Sequence, residues 1–193
     1  MKTVIHRKTL AAGLTLVEIL MGVAVLGVLL AVAAPSLSDL MDKRRVIAVA
    51  GEIAGILAYA KAESNSTNSL LYVRFDPNTD MSCAAVTTQG SGNTECDCWK
   101  PQSTICLGGS ARLVRLFQVP KSNGVQFAAS ANAWSGYEYH IKFLREQMNM
   151  DTTTYAFVDV TGRKAKLKVE LNGAGRVRIC SPDGNINGYV RCA

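Results

Sequence analysis

The chain has 193 residues, a formal net charge of +6 and a 48% share of hydrophobic residues. That length accommodates one compact domain plus an extra segment, and the hydrophobic share lies at the upper edge for a soluble domain. An evenly soluble chain is excluded, because the apolar excess is concentrated near the N-terminus.

Residues 14–34 read LTLVEILMGVAVLGVLLAVAA, with Thr15 and Glu18 as the only polar side chains. As a helix this run is about 31 Å long, close to the thickness of a bilayer's hydrocarbon core. It is expected to cross a membrane. The preceding MKTVIHRKTLAAG carries Lys2, Arg7 and Lys8, as a secretory signal would. The apolar run is too long for such a signal, and residues 31–34 hold its only A-x-A candidates. Glu18 is costly in hydrocarbon unless it meets a cation, and that cost suggests a purpose.

Residues 12–40, AGLTLVEILMGVAVLGVLLAVAAPSLSDL, closely resemble the N-terminus of type IV pilins and type II secretion pseudopilins. The resemblance implies an α+β fold, in which a long N-terminal helix packs on an antiparallel β-sheet domain. It implies that a prepilin peptidase removes residues 1–13 on the cytoplasmic side, cutting between Gly13 and Leu14, and that the new N-terminus at Leu14 is methylated. Leu14 stands where members more often carry Phe. Glu18 matches the family's carboxylate near the start of the mature chain, and Pro35 matches a position where the helix is commonly kinked or melted. The resemblance covers roughly residues 1–50. It implies a single-pass protein of the bacterial inner membrane with a periplasmic C-terminal domain, assembled with other minor and major pilins into a pilus or pseudopilus. Physics supports the role of Glu18: inside an apolar filament core it can pair with the charged N-terminus of a neighbouring subunit, because an unpaired buried carboxylate is strongly disfavoured.

After Pro35, Leu37, Leu40, Met41, Val46, Ile47, Val49, Ile53, Ile56, Leu57 and Ala60 recur at spacings of three and four, an amphipathic helix. The helix is expected over 14–65, with 14–34 in the membrane or filament core and 35–65 on the globular domain, closing in the cap residues SNSTNS. Lys43, Arg44 and Arg45 read as a solvated helix face. From Ser69 the period changes to two. SLLYVRF, ARLVRLFQV, YEYHIKFL, TYAFVDV, KAKLKVEL and RVRIC are expected strands of a β domain over 66–193, separated by Gly, Asn, Pro and Ser.

The cysteines, Cys83, Cys96, Cys98, Cys106, Cys180 and Cys192, all lie beyond the apolar run. An even number there points to disulfides in an oxidising compartment. The spacing of the first four fits no common structural zinc site, so no metal is expected. Cys180 and Cys192 are expected to pair, closing a loop worth roughly 3 kcal/mol on the chain-entropy estimate. Cys96 with Cys98 is disfavoured by the single spacer residue. Two arrangements stay open: Cys83 with Cys96 and Cys98 with Cys106, or Cys83 with Cys98 and Cys96 with Cys106.

No nucleophile elbow, phosphate loop, HExxH or dinucleotide motif is present. Loss of the leader removes His6 and leaves His140, in a strand-like run, as the only histidine. No enzyme and no cofactor are expected.

Without the leader's three basic residues the side-chain balance is +3. Residues 161–193 hold Arg163, Lys164, Lys166, Lys168, Arg176, Arg178 and Arg191 against Glu170 and Asp183, a local balance of +5. Strand alternation places Lys164, Lys166 and Lys168 on one face, and Arg176 and Arg178 point together from the next strand. The glycine-rich turn NGAG lets both sets converge, and such a cluster is the electrostatic footprint of phosphate binding. The tail GRVRICSPDGNINGYVRC further resembles the C-terminus of GspH/FimT-type (FimU-like) minor pilins, of which FimT-like members bind DNA through a G-R-x-R motif during natural transformation. That motif maps onto Gly175, Arg176, Val177 and Arg178. The expected partner is non-specific double-stranded DNA, contacted by Gly175, Arg176 and Arg178 with help from Lys164, Lys166, Lys168 and Arg191. The competing readings are a structural, FimU-like minor pilin that primes assembly and a GspH-like pseudopilin of type II secretion.

Overall fold

The computed structural model describes residue 13 and residues 15–78, 80–88, 96–106, 111–130, 140–143, 156–172 and 174–192. The chain divides into two compact units, residues 1–39 and 40–193, and one helix, α1 (Leu16–Thr67), contributes to both. In the first unit the apolar side chains of residues 16–34 are exposed throughout. The run is long and apolar enough to cross a membrane by length and composition. The helix continues through Pro35 without melting.

In the second unit α1 turns a buried stripe inward: Val46, Ala50, Ile53, Leu57 and Ala60 are 0–1% exposed, at the spacings of three and four that keep one face of a helix aligned. The helix ends two residues later than the composition of SNSTNS suggests. Asn68 takes a left-handed conformation (φ 48°), and the Ser69 amide returns to the Ser64 carbonyl at 3.2 Å. This closing pattern satisfies a carbonyl that the helix end leaves free.

Eight strands follow: β1 (Leu71–Pro77), β2 (Met81–Thr87), β3 (Leu113–Pro120), β4 (Gln126–Ser130), β5 (His140–Phe143), β6 (Ala156–Thr161), β7 (Lys166–Leu171) and β8 (Val177–Cys180). They form two antiparallel sheets, ordered β3-β2-β1-β5 and β4-β6-β7-β8. The inner faces of both join the stripe on α1 in one core, with Phe75, Phe127 and Phe143 as its largest members. The sheets are stitched together where the Phe127 amide of β4 donates to Ser82 Oγ of β2 at 3.0 Å and the Phe75 and Phe127 rings meet edge to face.

Two strands, β2 and β4, were not expected from alternation. In β2, MSCAAVT, every residue after the first is buried, because both faces of the strand are covered. Such a strand carries no period-two signal. Its second cover is the segment 96–106. Cys83 is bonded to Cys98 and Cys96 to Cys106, and Cys83, Ala85 and Cys98 pack with Leu113 and Leu116 on the face turned away from α1. Arg74 Nη1 donates to the Cys96 carbonyl at 2.8 Å and Gln118 Nε2 to the Cys98 carbonyl at 2.7 Å. Burial pushes the Asp76 carboxyl above its usual range, while the ion pair with Arg74 acts in the opposite sense. The cysteine-rich segment is thus an outer layer on the first sheet.

Asp42 ties the start of this helical stretch to the turn between β6 and β7. It is 5% exposed, and its carboxylate accepts the amides of Arg163, Lys164 and Ala165 at 3.0, 2.8 and 3.1 Å. At Gly162 a Cβ would meet Val46 Cγ2 at 2.6 Å and Asp42 Oδ1 at 2.7 Å, so glycine sets how closely helix and turn approach. Burial alone pushes the Asp42 carboxyl up, but the three amides and the Arg163 charge together hold it below its usual 3.8. A carboxyl depressed in the fold contributes fully above pH 3.8 and loses its contribution as pH falls through the lower folded value. Asp42→Ala should cost about 2–4 kcal/mol at neutral pH in urea unfolding, because three amides lose a charged acceptor. The difference between the two proteins should shrink below pH 3.8.

Candidate nucleic-acid interface at the C-terminal hairpin

The arginine-bearing strand β8 pairs with β7 so that Lys168 faces Cys180, Val169 faces Ile179, Glu170 faces Arg178 and Leu171 faces Val177. Leu167, Val169 and Leu171 are buried, which turns Lys166, Lys168, Glu170 and Arg178 outward. Arg178 is thus directly opposite a carboxylate, a pairing that favours the strand register. Lys168 lies over the Phe157 ring, with Nζ 4.0 Å from its centroid, and 3.9 Å from Asp159. This face carries both signs and not the uniform positive charge that alternation alone suggests.

The turn leading into β8 is built tightly. Asn172 Oδ1 accepts the Arg176 amide at 2.8 Å, and the Gly175 amide donates to the Asn172 carbonyl at 2.8 Å. Gly175 has φ +68°, and a Cβ there would approach Lys61 Nζ to 2.9 Å. That lysine reaches from α1 and donates to the carbonyls of Ala174 and Gly175 at 2.9 and 3.4 Å. Arg176 therefore leaves the turn exposed, from a backbone held at both sides.

Beyond β8 the Cys180–Cys192 bond brings the tail back, with Cα atoms 5.0 Å apart. Ser181 bridges to Arg191, its amide donating to the Val190 carbonyl at 2.9 Å. Ile186, at 3% exposure, anchors the closed loop in the core. Arg178 Nη2 donates to the Arg191 carbonyl at 3.4 Å. Arg176, Arg178 and Arg191 are all exposed: Arg176 at the turn, Arg178 opposite Glu170 and Arg191 beside Ser181, past the end of β8.

Lys164 and Lys166 lie elsewhere. Lys164 is in the turn held by Asp42 and Lys166 opens β7, so Lys164 is roughly 25 Å along the strand from the turn carrying Arg176. Lys164 and Arg176 therefore sit at the two ends of the hairpin, while Lys168, opposite Cys180, and Arg191, bridged to Ser181, lie between them. Gly13 and Glu18 are exposed in the first unit, Glu18 in the first turn of α1, and Leu14 lies outside the described residues. His140 begins β5. Glu170 approaches Cys180 and Cys192, but those thiols are joined to each other and provide no thiolate for a metal.

Sequence reasoning missed Asp42 and Lys61 as parts of this hairpin. Asp42 had a signal: it occupies the helical position one turn before Val46, on the stripe that is otherwise apolar. Lys61 borders that stripe, and nothing in its neighbourhood distinguishes it from a solvated lysine.

No family model and no curated protein matches the chain. Among solved structures it is similar to the type IV minor pilin FimU of Pseudomonas aeruginosa PAO1, with 12% identity over 72% of this chain and 91% of that one and a TM-score of 0.49. It is also similar to the minor pseudopilin EpsH of the Vibrio cholerae type 2 secretion system, with 12% identity over 73% of this chain and 98% of that one and a TM-score of 0.44.

Gly175→Ala should lower stability by about 1–3 kcal/mol, since the left-handed backbone is strained for any Cβ and Lys61 must be displaced. Lys61→Met keeps the aliphatic stem and removes the two donated bonds, and should cost about 1 kcal/mol. Urea unfolding of each protein checks both.

Proposed function

We propose that the chain is a minor subunit of a type IV pilus-like filament, anchored by residues 14–34, whose basic C-terminal end holds double-stranded DNA without sequence preference for uptake. The apolar helix with its lone carboxylate, Glu18, supports the filament role: exposed apolar side chains along the run require lipid or neighbouring helices as their surroundings. On this reading a prepilin peptidase cuts between Gly13 and Leu14, Leu14 is methylated, and the disulfide-bonded domain faces the periplasm or exterior. Intact-mass and terminal sequencing of the protein from native membranes should give N-methylated Leu14 as the first residue. A chain retaining residues 1–13 in filaments, or Glu18→Ala entering them at the wild-type level, would remove the basis for this role.

The observation that carries the DNA reading is the exposed trio Arg176, Arg178 and Arg191 on a backbone held by Lys61, Gly175 and the Cys180–Cys192 bond. Guanidinium groups match phosphate oxygens bidentately, and a fixed backbone lowers the ordering cost of contact. The two structural readings, an assembly-priming minor pilin and a type II secretion pseudopilin, use the same helix and give the basic end a protein partner instead. Contact through the three arginines alone corresponds to about three phosphates, for which the slope of log affinity against log salt is about −2.7. Anisotropy titration of the full chain with duplex DNA at about 50 mM salt should therefore show weak, micromolar-range binding with that slope. Arg176→Gln with Arg178→Gln should abolish it with little change in thermal midpoint, as exposed charges contribute little stability. Lys164→Gln with Lys166→Gln should leave it nearly intact. Wild-type binding by the arginine variant, or no salt-dependent binding at all, would favour a structural subunit.

A further inference from the structure

The cations at the other end of the second sheet assemble with those of α1. Asp42 receives the amides of Arg163 and Lys164, which brings that turn against the helical turn bearing Lys43 and Arg44. Arg45 Nη1 donates to the Asn123 carbonyl at 3.1 Å, which joins the helix to the short turn Lys121–Asn123. Arg163 in turn approaches Gly124, its Nε 3.6 Å from where a Cβ would stand. Lys43, Arg44, Arg163, Lys164 and Lys166 are exposed and Lys121 is partly so. The carboxylates nearby are Asp42, occupied by three amides, Asp39, and Asp80, whose carbonyl accepts the Lys121 amide. On the helix, Leu40 and Met41 expose 45% and 47% of their surface beside these cations.

We propose that this collar is a docking surface for anionic phospholipid headgroups, used while the subunit rests in the membrane. The collar lies where the chain enters the β domain, and Lys43 is nine residues after Ala34, the last residue of the apolar run. Nine helical residues rise about 13 Å at most, which exceeds a headgroup layer of roughly 5–8 Å by no more than about one Debye length. Cations at that distance from a negative surface are attracted within a Debye length, and adjoining exposed Leu40 and Met41 give the same surface an apolar edge suited to the interface. The inference rests on the reading of residues 14–34 as membrane-embedded and is independent of DNA binding at the arginine end.

The test uses the full chain in vesicles of phosphatidylcholine alone or with about 30% phosphatidylglycerol, read by flotation and amide hydrogen exchange. The chain should float with both. On the anionic vesicles, exchange over residues 121–124 and 162–166 should slow about threefold or more, an effect lost in about 0.5 M salt, with residues 174–178 unchanged. Lys43→Gln, Arg44→Gln, Lys121→Gln and Lys166→Gln combined should erase the difference at an unchanged thermal midpoint, while Arg176→Gln with Arg178→Gln keeps it. A chain that fails to float overturns the membrane reading and this proposal together. A chain that floats but exchanges alike on both vesicles, or slows equally at 174–178, overturns the proposal alone. Protection of 162–166 by duplex DNA and not by anionic vesicles would assign the collar to nucleic acid instead.

Discussion

Between Val46 and Ser64, α1 presents a buried stripe that serves as inner wall to both sheets, and each element of the domain is placed by reference to it. Leu71, Val73 and Phe75 from β1 and Leu167, Val169 and Leu171 from β7 meet it as alternate residues of their strands. Fully burying such side chains is worth about 1.5–3 kcal/mol each, so a strand that slipped by one residue would turn its whole apolar set to solvent. The outer faces inherit their composition from that constraint. Charges accumulate on the second sheet because every second residue of β7 and β8 is turned outward.

The first sheet answers the same constraint differently. Its outer face is closed by the cysteine-rich segment, whose carbonyls at Cys96 and Cys98 find donors in Arg74 and Gln118. Buried carbonyls need such partners, and the two disulfides hold the segment where the donors can reach it. The two sheets therefore present unlike surfaces: one covered and cross-linked, the other open and charged.

Much of this arrangement was legible in the chain. Periodicity of three and four marked the helical stripe, and alternation marked β1, β3, β5, β6, β7 and β8; in β1, β6 and β7 buried residues alternate with less covered ones, while β3 is partly buried on both faces. β2 was invisible because it is covered on both faces, and in the short β4, QFAAS, Phe127 is followed only by the small residues Ala128, Ala129 and Ser130. The candidate site was legible in its residues but not in their grouping. Alternation tells which face a side chain takes and says nothing of how far along the strand it lies, so Lys164 and Arg176 read as neighbours while the hairpin sets them at opposite ends. Lys61 and Asp42 act across more than a hundred residues of sequence, a separation that local pattern cannot bridge.

The two attachments of α1 to the second sheet also make the helix a measure of length. Asp42 grips the turn before β7 and Lys61 the turn after it. The nineteen helical residues from one to the other rise about 28 Å, close to the roughly 30 Å that the strand and its turns span between the same two points. Adding one residue to the helix between them would advance Lys61 by about 1.5 Å and swing it about 100° around the axis, away from the carbonyls it holds. Substitutions can accumulate on the outer side of that interval, whereas insertions and deletions cannot, unless the strand changes its length in step.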